Sequence, residues 1–452
     1  MRTGMAPPAG GRLTTGSVRR QVISMTVPMI WGVLAVISKG IVDTFFVARL
    51  GTDELGAMSF AFPVMMVVSN LAIGLGVGTG SVVARAIGEG DPEVVRRRAT
   101  DGLLLAVLVV SATSALGLLT LEPLFAAMGA EGEVMRHVGD YMRTWYWGMG
   151  FLVVPMVGNG IIRATGDAKV PGIVMTISAV VNIGLDPILI FGLLGAPALG
   201  IQGAALATVI SNFVTFVAAL AILHNRERMI LWRPAAVDEV WQSWKAILHI
   251  GVPAAATNMV NPIGAAVVIG ILAPFGTEVV AGLGVATRIE ALAVVVLLAL
   301  SSSVGPMVGQ NAGAGRWDRV QETLRFSHAV CLVTGAAVAA LMWAVGAQAV
   351  AIFDDSPQVL ALATTYLRWV SLTYAGYGVA ITTAAAFNAL GRPLPSTTLV
   401  MVRIVLVLVP GTYLLSGRLG WSAVVWAAAA GNALAGAAAL ALARSVVARP
   451  RT

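Results

Sequence analysis

Residues 21–48 read QVISMTVPMIWGVLAVISKGIVDTFFVA, and residues 246–273 read AILHIGVPAAATNMVNPIGAAVVIGILA. Each run exceeds the ~20 apolar residues with which a helix crosses a bilayer. Set one under the other, at an offset of 225, they place Pro28 on Pro253. The same offset pairs Gly51-Thr52 with Gly276-Thr277, Gly88 and Gly90 with Gly313 and Gly315, Tyr141 and Arg143 with Tyr366 and Arg368, and Gly166 with Gly391. Near the end of each half the offset becomes 220, so that Gly200 and Asn212 match Gly420 and Asn432. The chain is a duplication.

The rest of the chain has the same character. It has 452 residues, of which 58% are hydrophobic and 11% charged, where soluble domains carry about 25% charge. Twelve apolar stretches are expected to span, near 21–48, 57–86, 99–121, 138–163, 171–194, 200–223, 246–274, 280–309, 326–350, 361–388, 396–416 and 421–443. All should be helices, because lipid cannot satisfy open backbone groups. The first run is too long for a signal peptide's apolar core and lacks a small-residue cleavage site, so it is read as a span. The predicted fold is an all-α membrane protein of twelve transmembrane helices. They form two six-helix lobes related by a pseudo-two-fold axis along the membrane normal. The lobes are expected at 1–225 and 246–452, joined by a basic linker at 226–245, where Trp232, Trp241 and Trp244 suit a short interfacial helix.

The Lys and Arg residues set the sidedness. Of 29, 21 lie at the termini or in the even-to-odd loops, and 5 in the alternate loops. The positive-inside rule then makes both termini cytoplasmic, in a multi-pass protein of the plasma (inner) membrane. The opposite loops carry Glu131, Glu133, Asp354 and Asp355. The net charge of +7 is therefore a topology signal, and no nucleic-acid partner is implied. The single cysteine, Cys331, allows no intrachain disulfide, and four scattered histidines make no metal-ligand set. No nucleophile–base pair, GxSxG or Walker-A motif occurs, so neither an enzyme nor a resident cofactor is expected. Gly74 to Gly80 superficially resembles a phosphate loop, but it lies inside a span and suits close helix packing.

Two acids stand out against this background. A carboxylate at the centre of a spanning helix costs roughly 2.5–3.5 kcal/mol, so it usually marks an ion or substrate pathway. Asp43 maps to Val268 and Asp186 to Gly411, so the repeated scaffold does not require acids there. Asp43 lies about 22 residues into span 1 and Asp186 about 15 into span 5, which at ~1.5 Å per residue places both in the outer half of the membrane. Burial and mutual repulsion both disfavour two charged carboxylates, so such a pair can take up H+, or alternatively Na+. Asn182 shares a helical face with Asp186, and Pro187 frees a carbonyl one turn back. Tyr141, Asn159 and Thr208 are polar residues in neighbouring spans that can join this network. Lys39 lies four residues before Asp43, where an ion pair would favour the charged carboxylate. Pro28 and Pro253 can bend equivalent helices. Glu290 is read as a polar anchor at the end of span 8.

Several motifs carry a resemblance. They are Val42-Asp43-Thr44 followed by Arg49-Leu-Gly51, Ala84-Arg-Ala-Ile-Gly-Glu-Gly-Asp91, Arg163-Ala-Thr-Gly-Asp-Ala-Lys-Val-Pro171, Asn182-Ile-Gly-Leu-Asp-Pro187, and Val308-Gly-Gln-Asn-Ala-Gly-Ala-Gly315. On these the chain resembles the MATE (multidrug and toxic compound extrusion) family over nearly its whole length. The resemblance implies a secondary multidrug antiporter with two six-helix lobes. It would export organic, mostly cationic, compounds in exchange for H+ or Na+ by alternating access across the lipid bilayer, and the internal duplication makes a functional monomer the expectation. Within that family it resembles the DinF-like branch. That branch implies coupling acids at Asp43 and Asp186, supported by Asn182, Tyr141 and Asn159, with a bending proline at Pro28. It departs from the NorM-like branch, whose helix 7 carboxylate is replaced here by Asn258 and Asn261 and whose helix 10 aspartate by Tyr377. Lys39 is unusual beside the helix 1 acid. The alternative is a flippase for lipid-linked intermediates, of related architecture. A major-facilitator antiporter would need an Asp-Arg-x-Gly-Arg pattern in the 2–3 loop, which is absent.

Overall fold

The computed structural model describes residues 11–233, 236–354 and 356–447. Arg2, Arg449, Arg451 and Asp355, which contribute to the sidedness argument, lie outside the described residues, as do linker residues 234–235. No strand occurs among the described residues. The first half contains α1 (Val18–Ala48), α2 (Thr52–Glu89), α3 (Pro92–Leu119), α4 (Leu121–Ala127), α5 (Gly132–Gly148), α6 (Gly150–Ala164), α7 (Lys169–Phe191) and α8 (Gly200–Ala221). The second contains α9 (Val237–Leu272), α10 (Thr277–Ala293), α11 (Val295–Gly313), α12 (Trp317–Ala351), α13 (Pro357–Ser371) and α14 (Tyr374–Ala389). It ends with α15 (Pro393–Met401), a π-helical stretch Val402–Leu408, α16 (Val409–Leu419) and α17 (Ala423–Val447).

The repeat reappears in the element ends. Shifted by 225, α5 and α6 fall on α13 and α14, and both pairs are bent spans, by 43° and 61°. Shifted likewise, α2 covers α10 and α11 together. The stretch Pro393–Ser445 is apolar over 53 residues, about 80 Å of helix, far beyond a hydrocarbon core of ~30 Å. It is two crossings: the chain turns at Gly420 (φ 59°), and α17 packs back on α16 and the π-helical stretch. The described residues thus make twelve crossings. Local chemistry sets the ends: Gly90 closes α2 in the left-handed region (φ 90°). Asp91 then caps α3 through Glu93 N (2.9 Å), with Pro92 at the first helical position.

The packing resolves into two compact units, 31–255 and 11–30 with 256–447. The division falls inside α1 and α9, two residues after Pro28 and after Pro253, rather than in the 226–245 linker. The cause is visible in the contacts. Leu13 N donates to Gln310 Oε1 (2.9 Å), and Thr26 Oγ1 to Ser303 Oγ (3.2 Å). The buried Arg319 reaches the carbonyls of Leu13 (2.9 Å) and Gly16 (2.7 Å). In the other unit, Trp244 Nε1 donates to Asp101 O (2.9 Å), fixing the start of α9. Among the described residues no separate interfacial helix is formed: Trp241 and Trp244 belong to the first turns of α9, and Trp232 sits in irregular chain, largely exposed.

The glycine run of α2 serves packing. A Cβ on Gly78 would stand 2.5 Å from Ile247 O, and one on Gly74 would stand 2.5 Å from Gly251 O. On the opposite side, a Cβ on Gly160 of α6 would meet Gly76 O at 2.7 Å. Backbone lies against backbone at each place, so no side-chain rotation relieves a clash. Gly78→Val is expected to destabilise by about 1–3 kcal/mol, read as a lower melting temperature in detergent. Gly346→Ala, with open space around its Cβ position, should leave the melting temperature unchanged or slightly raised.

Candidate functional site

The unit 31–255 encloses a polar cluster within a core that includes Met142, Val157, Ile161 and Ile162. Five helices supply it: α1 (Lys39, Asp43), α5 (Tyr141), α6 (Asn159), α7 (Asn182, Asp186) and α8 (Thr208, Ser211). Both acids are buried, Asp43 at 8% and Asp186 at 0% exposure. The helices approach closely because small residues meet: a Cβ on Gly32 of α1 would lie 3.1 Å from Gly172 Cα of α7.

The hydrogen bonds link α7 to α8. Asn182 Nδ2 donates to Asp186 Oδ1 (3.3 Å) and to Thr208 Oγ1 (3.3 Å). The one-turn spacing read from the sequence therefore becomes a contact. Lys39 Nζ does not make a contact ion pair with Asp43. It donates to Ser211 Oγ (3.1 Å) while remaining within Coulombic reach of both aspartates. Ser178 Oγ in turn donates to Ser211 O (3.2 Å). Tyr141 lies within Coulombic reach of both acids. Asn159 is buried in the same unit but makes no hydrogen bond to either acid among the described residues. Pro187 sits inside the unbroken α7 beside Asp186 and leaves the carbonyl one turn earlier without its helical donor. Pro28 packs with the other unit and is not part of this cluster.

Acceptors outnumber donors. Asp43 Oδ1, Asp186 Oδ2, Asn182 Oδ1 and Asn159 Oδ1 are buried acceptors without a hydrogen-bond partner, against the single hydroxyl of Tyr141 that is left without one. Native interiors rarely leave such atoms orphaned. Two carboxylates beside one ammonium also leave one negative charge uncompensated, which is costly in a low-dielectric interior. The donor set suits a proton or a hard monovalent cation, which oxygen ligands favour. Among the described residues no His/Cys/Asp/Glu group has metal-site geometry. Ser211 and Ser178 were not singled out in the sequence, because serine in a span is commonplace; only their helical register with Thr208 and Asn182 marks them.

The coupling between Lys39 and Asp43 can be measured by a double-mutant cycle on melting temperature. Lys39→Met alone should destabilise, by leaving two carboxylates without a cation, and Asp43→Asn added to it should recover part of the loss. An interaction of about 0.5–3 kcal/mol is expected; strict additivity would mean that the two residues do not sense each other.

The fold and the cluster can be set beside known proteins. The MatE family model matches residues 28–188 and 253–414, blocks that begin 225 residues apart and together cover more than half of the chain. The first block contains every cluster residue discussed except Thr208 and Ser211. The FAD transporter of Shewanella oneidensis is 36% identical over 398 residues, 88% of each chain. The multidrug export protein MepA of Staphylococcus aureus is 24% identical over 432 residues, 94% of this chain and 93% of MepA. Among solved structures, a multidrug resistance MATE family transporter in an outward-facing conformation superposes with TM-score 0.92 at 26% identity, over 98% of this chain and 99% of that one. The Vibrio cholerae MATE transporter VcmN in its bent form gives 0.89 at 27% identity, over 95% and 97%. These neighbours carry twelve transmembrane helices in two lobes, and the family's members are transporters, not enzymes. The chain is a multi-pass membrane protein and belongs to the MATE (multidrug and toxic compound extrusion) family of transporters.

Proposed function

We propose that the protein is a secondary antiporter of the DinF-like type. It exports organic compounds across the cell membrane in exchange for H+ taken up at Asp43 and Asp186. The observation that carries this reading is the charge and hydrogen-bond imbalance of the cluster, two buried carboxylates and five orphaned oxygens beside one ammonium. One H+ makes the set electrically neutral and turns an orphaned acceptor into a donor. Na+ would neutralise it equally, with the orphaned oxygens as ligands. Protonation that favours one arrangement of α1 over another, with Pro28 as the bending point, would link ion uptake to substrate release. The shift is limited by the difference in proton affinity between the two states. The basic even-to-odd loops support cytoplasmic termini, and the internal duplication supports a working monomer.

Two substrate classes fit an exporter of this family. Organic cations accord with multidrug relatives such as MepA. A flavin dinucleotide, which is anionic, accords with the name of the Shewanella relative and with in-span cations at Lys39 and Arg403.

The decisive assay uses proteoliposomes holding a preformed pH gradient in Na+-free buffer, wild type beside Asp186→Asn. Addition of ethidium or FAD should release protons through the wild type and not through the variant. Substrate movement that appears only with a Na+ gradient would transfer the coupling to Na+. No response to either ion with either compound would overturn the antiporter.

A further inference from the structure

The unit 11–30 with 256–447 contains a second intramembrane polar group, and its chemistry is opposite in sign at its centre. Arg403 lies on the π-helical stretch Val402–Leu408. Pro410 lacks the N–H that would bond one turn back, and a π-helical insertion accommodates such a loss. Such stretches often mark functional positions. The guanidinium is held entirely by neutral groups. Nη2 donates to Asn261 Oδ1 (2.5 Å), Nη1 to Asn432 Oδ1 (3.5 Å), and Cζ stands 4.7 Å from the centroid of the Tyr377 ring. Asn432 is itself oriented by donating to Thr373 Oγ1 (3.2 Å). The nearby acid, Glu290, does not anchor at a span end as expected. It accepts from Tyr366 Oη (3.0 Å), and among the described residues it makes no ion pair with Arg403.

The arrangement is therefore a cation in a spanning segment with no carboxylate in contact. Glu290 stands within Coulombic reach of Arg403 but not in contact with it. A guanidinium without a contact counterion in a spanning segment is costly, and two amides plus a ring face offset only part of that cost. Two of its five N–H groups are used by the asparagines. The other three remain for a planar, bidentate acceptor, the geometry at which arginine surpasses lysine. The aromatic ring beneath it and the oriented amides keep the fork in one plane.

We propose that Arg403, with Asn261, Asn432 and Tyr377, is a recognition site for the phosphate group of an exported organic molecule. This deepens the reading of the protein as an exporter, and it favours a phosphate-bearing substrate over an organic cation. Phosphate-headed lipids offer the same chemistry, so the test separates the two sources.

Riboflavin and riboflavin 5′-phosphate differ by one phosphate, and both fluoresce. Their binding to the purified protein in a non-ionic detergent, followed by fluorescence anisotropy, needs no ion gradient. A failure here is thus distinguishable from a failure of ion coupling. The wild type should bind the phosphate ester about tenfold or more tightly than riboflavin, the range of a charge-assisted contact. Arg403→Gln should bring the ester to the level of riboflavin without altering riboflavin binding, and Arg403→Lys should keep part of the preference. Melting temperatures of both variants report whether they fold. Equal binding of the two flavins by the wild type would overturn the proposal, as would a preference that survives Arg403→Gln. Displacement of the ester by phosphatidylglycerol at lower concentration than by the ester itself would also overturn it, as a lipid site.

Discussion

One charge too many governs the unit 31–255. Two carboxylates are buried with a single ammonium nearby, in a spanning segment where charge is costly. Everything around them serves that imbalance. Asn182 bridges one acid to α8, Ser211 holds Lys39 near both acids, and small residues let α1 and α7 approach closely. The backbone offers little beyond the one carbonyl that Pro187 leaves without its helical donor, since the helices otherwise satisfy their own N–H and C=O groups. In the antiporter proposed above, the remaining need is met by the coupling H+.

The duplication keeps its scaffold and inverts its chemistry. Tyr141 and its repeat-mate Tyr366 both face acids, Asp43 and Asp186 in one unit and Glu290 in the other. The position of Asp186 becomes Gly411, and that of Ser178 becomes Arg403. Thus the same helix of the repeat carries an acid in one half and a base in the other. Glycine pairs, bent spans and cap residues recur because helix packing demands them, whereas the polar residues are free to diverge once packing is met. On the two proposals made above, divergence after duplication gives ion binding to one half and substrate recognition to the other without a change of fold.

Much of this was legible from residue type and spacing. A lone acid in an apolar run, as at Asp43, has few structural excuses, and an asparagine four residues before Asp186 can only share its face. The twelve crossings followed from length and hydropathy. The path of Lys39 was not legible. Its spacing from Asp43 suggested an ion pair, but a long flexible side chain goes where neighbouring helices offer a partner, and Ser211 lies on another helix. The bond network of Arg403 was hidden for the same reason, since its partners come from α9, α14 and α17. Nor did the boundary between packing units show in the linker's composition, because it rests on side chains such as Arg319 that gather distant carbonyls.

That last feature has a temporal side. Residues 11–26 are made before the groups that hold them, since Ser303, Gln310, Asn311 and Arg319 come about 290 residues later. At a synthesis rate of about 5–20 residues per second, the leading turns of α1 wait tens of seconds for their partners. Through that interval the first crossing is inserted but unanchored at its start. A shortage of the second half, by truncation or stalled translation, would present the nascent chain to quality-control proteases by its N-terminal end.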